Sequence, residues 1–241
     1  MLKIKAVVLA GGTAERLKPL TENVPKPLIA VNDRHMIDYI IDKLEAAGIR
    51  EIYVSTNEKF KEPFRAWSKN RNVKLVVEKM PGGKKLGAIA GLAYVVGKEN
   101  ITGDCIVIAG DNLFGFDLKN FIAFYYDKKK PVVAAYDVKS RERASQFGVI
   151  TEVNGKITGF EEKPREPKST LAATACYIFP QEALSAMNEY LRQDNARDSP
   201  GNFIAWLSKR TDVYAYIFDD YWFDIGTFAS LKEARAFMKN L

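Results

Sequence analysis

Two aspartates and one basic, glycine-rich stretch are the residues best suited to chemistry. Asp111 lies in CIVIAGDN, just past an apolar run, and Asp224 lies in YWFDIGT, beyond another. Aspartates at the ends of two strands can meet across a cleft and hold Mg²⁺ through oxygen ligands, with phosphate oxygens completing the shell. An aspartate beside glycine or asparagine also serves as an ordinary surface turn, and spacing alone leaves both readings open. Asp104 is the weaker candidate and reads as the start of a strand. The stretch LAGGTAERLKPLTENVPKPLIAVN, residues 9–32, sets Gly11-Gly12 directly after an apolar run and then supplies Arg16, Lys18 and Lys26. Glycines there let backbone N–H groups approach phosphate with no Cβ in the way. Arginine can fork two phosphate oxygens, whereas lysine acts as a point charge. A tight turn with a proline-rich loop would use the same residues. The P-loop pattern and the G-x-G-x-x-G fingerprint are both absent. Pro19, Pro25 and Pro27 argue against a regular helix and predict an ordered loop that carries Lys26 back toward the glycines.

The elements that must position these groups are legible as periodicity. Apolar, β-branched runs recur at Ile4–Leu9, Ile52–Ser55, Val73–Val77, Cys105–Ala109 and Val132–Ala135. Between the first two, Ile37, Ile40, Ile41, Leu44 and Ala47 follow helical spacing, and Gly48 ends that helix. The alternation predicts an α/β fold: a Rossmann-like, mostly parallel central sheet with helices on both faces. From about residue 140 the pattern changes to short strands, Gly148–Val153, Lys156–Glu161 and Ala172–Phe179, with a hairpin signal at Asn154-Gly155. An antiparallel subregion is expected there. Ser199-Pro200 reads as an N-cap and first helical residue, Val213–Phe218 as a strand, and Ser230–Leu241 as a final helix. With no linker, repeat or low-complexity segment, residues 1–241 read as a single domain. About 1–140 form one part, about 141–227 a second, and 228–241 the C-terminal helix.

Composition excludes several function classes. The 241 residues contain one histidine, His35, so a histidine triad or multi-histidine metal site is not expected. Cys105 and Cys176 sit among apolar neighbours and read as buried free thiols of a reducing, cytoplasmic setting. No apolar run approaches the roughly 20 residues of a membrane span, and no cleavage site follows the N-terminus, so neither a membrane nor a signal peptide is expected. The net charge of +6 is spread along the chain, and the longest basic run, Lys128–Lys130, ends a helix. Nucleic acid is therefore not an expected partner.

The string G-G-x-x-x-R-L-x-P-L-T-x-x-x-P-K-P-L, Gly11 to Leu28, resembles the signature of the sugar-1-phosphate nucleotidylyltransferases. G-D-N at Asp111 and W-x-D-x-G-T at Asp224 match further motifs of that family, in order, so the resemblance runs from residue 9 to residue 227. It implies a nucleotide-diphospho-sugar transferase (GT-A-like) fold and transfer of a nucleotidyl group from an NTP to a sugar 1-phosphate. Glucose 1-phosphate with dTTP or UTP is the favoured pair. Mannose 1-phosphate with GTP, another pair, or a non-catalytic nucleotide-sugar-binding relative are the alternatives. A homo-oligomer is allowed for. The resemblance implies Arg16 and Lys26 as catalytic groups, Asp111 and Asp224 as Mg²⁺ ligands, and Leu9, Gly11, Gly12, Thr13, Gly87 and Asn112 as nucleotide contacts. Gly148, Glu162, Lys163 and Thr174 would contact the sugar phosphate. Three departures stand out. Ala14 replaces a usual glycine, Ala175 replaces the glycine of the Thr-Gly pattern, and Gly82–Lys85 forms a longer basic segment before Gly87 that could act as a flap.

Overall fold

A computed structural model describes residues 4–12, 15–83, 85–193 and 195–241, the side chains of Glu15 and Pro81 excepted. The expectations for Thr13 and Ala14 lie outside these residues. Strand β1 (Lys5–Leu9) is the apolar run that precedes the glycines. Two short strands, β2 (Ala30–Val31) and β3 (Arg34–His35), make a hairpin that leads into helix α1 (Met36–Ala46). Gly48 follows that helix at φ 82°, as the sequence predicts. Strand β4 (Ile52–Asn57) pairs in parallel with β1, then α2 (Lys61–Ser68) leads to β5 (Lys74–Glu78), and α3 (Ala88–Lys98) leads to β6 (Cys105–Ala109) on the other side of β1. The alternating side chains of β1 both find cover. Ala6 and Val8 pack with Ile37, Ile40, Leu44, Phe64 and Trp67, whereas Val7 packs with Ile89, Leu92 and Val95. A strand buried on both faces has to be apolar throughout, which is why β1, β4 and β6 read as unbroken runs.

After β7 (Asn112–Phe114) and α4 (Leu118–Lys128), strand β8 (Val132–Asp137) and the short α5 (Arg141–Ala144) lead into β9 (Gly148–Val153), β10 (Lys156–Glu162) and β11 (Leu171–Phe179). Asn154 at φ 53° and Gly155 at φ 78° make the β9–β10 turn, as a two-residue primed turn requires. The expected antiparallel subregion forms, through the β9–β10 and β9–β11 pairings, and it does not make a separate sheet. Its strands continue the parallel strands in one nine-stranded sheet, ordered β5-β4-β1-β6-β11-β8-β12-β10-β9, with β12 at Tyr214–Phe218. The join is β11, whose nine residues pair antiparallel with β6 at one end, with β9 at the other, and with β8 along most of their length. Register shifts between Ala173 and Tyr177, and Ala175 within that bulge sits at φ 53°.

Helices α6 (Gln181–Arg192) and α7 (Pro200–Leu207) join α3 on one face, through Leu184, Met187, Phe203 and Ile204. Pro200 opens α7 as expected, although the Ser199 hydroxyl makes no cap bond. The last helix, α8, runs Phe228–Met238 and starts two residues earlier than the sequence reading, because Thr227 and Ser230 cap it reciprocally. A separate small core, Leu17, Ile29, Val31, Met36, Leu113, Ile225, Leu231 and Ala234, ties α8 to the residue 15–31 loop. Strand β13 (Trp222–Asp224) pairs antiparallel with β7, setting Asp224 opposite Asn112. No helix among the described residues is long and apolar enough to cross a membrane.

Candidate active site

The carboxyl ends of β1, β5 and β6, together with the β7–β13 ribbon, surround one cleft. The Lys26 ammonium lies in it, 2.5 Å from Asp111 Oδ2 and 3.8 Å from Asp224 Oδ1. The basic loop and the two motif aspartates therefore meet, as the sequence anticipated. Lys26 opens a 3₁₀ turn, Lys26–Leu28, flanked by Pro25 and held by Ile29 in the small core. Gly110 lets that turn come close: a Cβ there would lie 3.1 Å from Pro27 Cγ and 3.2 Å from the Leu9 carbonyl oxygen. The Gly110 N–H donates to that carbonyl at 2.9 Å. Asp111 is oriented from its other side, since Asn112 Nδ2 donates to its Oδ1 at 2.9 Å and Trp222 Nε1 donates to Asn112 Oδ1 at 2.7 Å. Burial and the neighbouring Asp111 charge push the Asp224 carboxyl above the usual carboxylate range, against the opposing pull of Lys26, Arg16 and Lys163. Two carboxylates that repel each other around one ammonium suit a further cation. Among the described residues no third acidic, histidine or cysteine ligand joins them, so a divalent ion would need ligand phosphates and water as well.

Three cavities adjoin at this point. A 310 Å³ cavity is lined by Leu9, Gly11, Gly12, Gly87 and Asn112, all residues expected to face nucleotide, by Asp111 and Asp224, the expected metal ligands, and by Glu78 and Asp198. Asn57 Nδ2 donates to the Gly11 carbonyl at 2.7 Å and fixes the glycine loop. Gly87 stands at φ 90° before α3, and a Cβ there would lie 2.7 Å from the Arg197 carbonyl oxygen. That carbonyl accepts from the Ile89 N–H at 3.0 Å, so Gly87 lets the segment before α7 close over the helix start. In the longer basic segment, Lys85 pairs with Asp198 at 3.4 Å; Lys84 lies outside the described residues.

The 160 Å³ cavity shares Asn112, Ala175, Tyr177, Pro200 and Asp224 with the first and gathers Gly148, Glu162, Lys163 and Thr174, the four residues expected to face the sugar phosphate. Gly148 is needed here for packing, because a Cβ would lie 2.4 Å from Phe160 Cζ and 3.3 Å from Glu162 Oε2. Thr174 lines the cavity, but its hydroxyl proton is already committed to the Ala134 carbonyl at 3.0 Å, so the hydroxyl can only accept from a ligand. Lys163, at φ 47°, and Ala175, at φ 53°, hold a left-handed conformation beside the cleft, the kind of strain that collects at functional sites. The third and largest cavity, 530 Å³, is lined by Arg16, Arg143, Lys163 and Asp224. Arg16 lies there rather than beside Gly11, with its guanidinium against Gly226, where a Cβ would approach Nη2 to 3.0 Å. Sequence reasoning missed Arg143, Glu78 and Asp198. Glu78 carried a usable signal, as the last residue of an apolar strand on the same sheet edge as Gly11.

Asp104, by contrast, sits at the opposite end of β6, where Asp104 Oδ1 accepts from the Gln181 N–H at 3.3 Å. Cys105 and Cys176 are both buried and free, and burial pushes the Cys105 thiol up to about 12.

An α/β sheet that collects a glycine loop, a lysine and paired aspartates at its carboxyl edge defines a phosphate-handling protein of the nucleotide-binding α/β class. The chain belongs to the nucleotidyl transferase family, whose model it matches over residues 5–240. The glucose-1-phosphate adenylyltransferase of Mycoplasma mobile is 29% identical over 255 residues, covering 95% of this chain and 65% of its own length. The bifunctional protein GlmU of Methanococcus aeolicus is 29% identical over 238 residues, covering 98% of this chain and 55% of its own. The chain thus spans between about half and two thirds of the length of these relatives. Among solved structures, a protein assigned as a glucose-1-phosphate thymidylyltransferase from Bacillus anthracis, crystallised with sucrose, superposes with a TM-score of 0.86 at 26% identity, covering 99% of this chain and 96% of its own. A UDP-glucose pyrophosphorylase crystallised with UDP-glucose shares the fold, with a TM-score of 0.80 at 22% identity, covering 99% of this chain and all of its own.

Proposed function

We propose that the protein transfers a nucleotidyl group from a nucleoside triphosphate to a sugar 1-phosphate and releases pyrophosphate. One observation carries this reading above the others: Lys26 is paired with Asp111 at 2.5 Å and Asp224 at 3.8 Å, and Asp224 lines both the glycine-lined and the Lys163-lined cavities. Phosphates bound in the two cavities would both lie near that charged cluster. A sugar phosphate oxygen, already ionised near neutral pH, attacks the α-phosphorus in line, the bond to the β-phosphate breaks, and pyrophosphate departs with its electron pair. The reaction needs no general base, so the protein contributes positioning and charge. Gly11 and Gly12 offer backbone N–H groups to the triphosphate, Lys26 neutralises charge at the α-phosphate, and Arg16, which lines the 530 Å³ cavity with Asp224, would have to swing toward the glycine loop to take the leaving pyrophosphate. Glu162 accepts from sugar hydroxyls, Lys163 meets the sugar's phosphate, and Gly148 keeps Glu162 and Phe160 seated. Asp111 and Asp224 would hold Mg²⁺, which supplies screening between the two anionic substrates. Two buried free thiols suit the reducing setting of the cytoplasm.

The test is a pyrophosphate-release screen of five NTPs against a panel of sugar 1-phosphates with Mg²⁺. Release that depends on both substrates is expected. Failure of every pair to turn over would overturn the reading.

A further inference from the structure

A nucleoside triphosphate and a simple hexose 1-phosphate account for the 310 and 160 Å³ cavities and leave the 530 Å³ cavity without an occupant. The lining says to which substrate that space belongs. It shares Gln146, Phe147, Lys163, Trp222 and Asp224 with the sugar-side cavity, and only Asp224 with the nucleotide cavity. In-line transfer sets the acceptor and the leaving pyrophosphate on opposite sides of the α-phosphorus. A group that fills the 530 Å³ cavity is therefore part of the acceptor. Of the three cavities' residues, Asp224 alone lines them all, which sets the reacting phosphates beside it, with Lys26 and Lys163 as their cations. Arg143 is then left over, because it lines the 530 Å³ cavity and neither of the others. Among the described residues the Arg143 guanidinium makes no ion pair or hydrogen bond, and neither does the Lys163 ammonium. The local fold holds both on one wall. Ser140 Oγ accepts from the Arg143 N–H at 3.3 Å, and the fully buried Ala144 anchors α5 in the core. The Phe147 N–H donates to the Ala144 carbonyl at 3.0 Å, and the Phe147 carbonyl accepts from the Lys163 N–H at 3.0 Å. The Phe147 ring rests on Trp222, with centroids 4.9 Å apart. Glu233, on α8, faces the same space and pairs with neither cation.

We propose that the acceptor is a sugar 1-phosphate that carries a second anionic group, a carboxylate or a further phosphate, and that Arg143 grips this group in the 530 Å³ cavity beside Lys163. The proposal rests on the nucleotidyl-transfer reading above and replaces plain glucose 1-phosphate as the favoured acceptor. A guanidinium fork matches the paired oxygens of a carboxylate or a phosphate, whereas a neutral hexose offers it only hydroxyls. The 1-phosphate does not answer this need, since it is committed to the Asp224 end, where the nucleotide cavity begins.

The experiment compares matched acceptors that differ only in the second group: glucose 1-phosphate with glucuronic acid 1-phosphate, galactose 1-phosphate with galacturonic acid 1-phosphate, and glucose 1-phosphate with glucose 1,6-bisphosphate. Pyrophosphate release with each NTP and Mg²⁺ is measured for the full chain, Arg143→Gln and Arg143→Lys, beside equilibrium binding of the same acceptors. In at least one pair the acidic member should show kcat/KM about 10–100-fold above its neutral parent, the effect of one charge-assisted hydrogen-bonded pair. Preference within the uronate pairs identifies a carboxylate, and preference within the bisphosphate pair identifies a phosphate. Arg143→Gln should bring that ratio close to one, and Arg143→Lys should keep part of it. Neutral parents used as well as the acidic members in every pair would sink the proposal and leave nucleotidyl transfer standing. An Arg143→Gln variant that keeps the full ratio, by losing activity equally on both members or on neither, also overturns it. Tighter binding of an acidic member that depends on Arg143, without pyrophosphate release, would retain the anion site and overturn the transfer reading. Neither binding nor turnover overturns both.

Discussion

The Lys26 ammonium and the Asp111 carboxylate stand 2.5 Å apart, with only 11% and 30% of their side chains exposed. Such a pair is a structural tie, and the proposed chemical role can be separated from it. Lys26→Met should lower pyrophosphate release by about 100–1,000-fold, the range for removal of one charge-stabilising donor. It should also lower the melting temperature, because Asp111 and Asp224 then face each other without a cation. Adding Asp111→Asn should restore part of that temperature and none of the activity. Full activity in Lys26→Met would remove Lys26 from the chemistry.

Asp111→Asn alone tests the metal role. Asparagine keeps one oxygen that can still accept from Lys26 and loses the second acceptor that Asn112 uses, a local change that should leave the far-ultraviolet circular dichroism as it is. Activity should fall by at least about 100-fold, since a neutral amide is a poor Mg²⁺ ligand. An Asp111→Asn enzyme that still turns over with normal Mg²⁺ dependence would refute the assignment.

Gly148→Ala asks whether that glycine serves the sugar side alone. The added methyl would lie 2.4 Å from Phe160 Cζ, so the ring must shift, at about 1–3 kcal/mol. Steady-state kinetics should show KM for the sugar 1-phosphate raised about tenfold or more, a loss of about 1.4 kcal/mol in binding, with KM for the NTP unchanged. Equal change in both constants would mean that the two cavities deform as one.

Ligand-free Glu78→Gln carries a pH signature. Burial raises the Glu78 carboxyl in the folded state, so between its unfolded and folded values the folded state holds more protons than the unfolded one. Stability therefore falls as pH rises through that window, and the acid is a net cost at neutral pH. Glutamine should raise the melting temperature near pH 7 by about 2–4 °C, the shift that 1 kcal/mol gives a chain of this length. The advantage should vanish as pH drops below the ordinary carboxylate range. A gap that does not vary with pH would show that the two residues differ in packing rather than charge.

Much of this was legible beforehand, for identifiable reasons. Ile4–Leu9 and Cys105–Ala109 are buried on both faces, so their unbroken apolar character marks them directly. Asn154-Gly155 announces its turn because few other pairs tolerate two positive φ values. That Lys26, Asp111 and Asp224 meet was legible because each sits in a distinctive local string, the lysine in a proline-bounded loop and the aspartates beside short strands. The placement of β11 between β6 and β8 was not legible, since nothing in Leu171–Phe179 states which partners a buried strand takes. Nor was the position of Arg16 in the 530 Å³ cavity legible, for a similar reason. Its direction depends on Gly226, a residue 210 positions further on. Glu78 was overlooked because a charged residue ending an apolar strand ordinarily reads as the point where the strand meets water.

The bond from Trp222 to Asn112 joins residues 110 positions apart, and Asn112 in turn orients Asp111. During ribosomal synthesis the glycine loop, Lys26 and Asp111 all emerge long before either Trp222 or Asp224. The half-made chain therefore lacks both the indole that aligns one carboxylate and the whole of the other. Residues 112–114 cannot take up their ribbon partner until residues 222–224 have been made, so on the proposed function a product truncated before Trp222 would be inert.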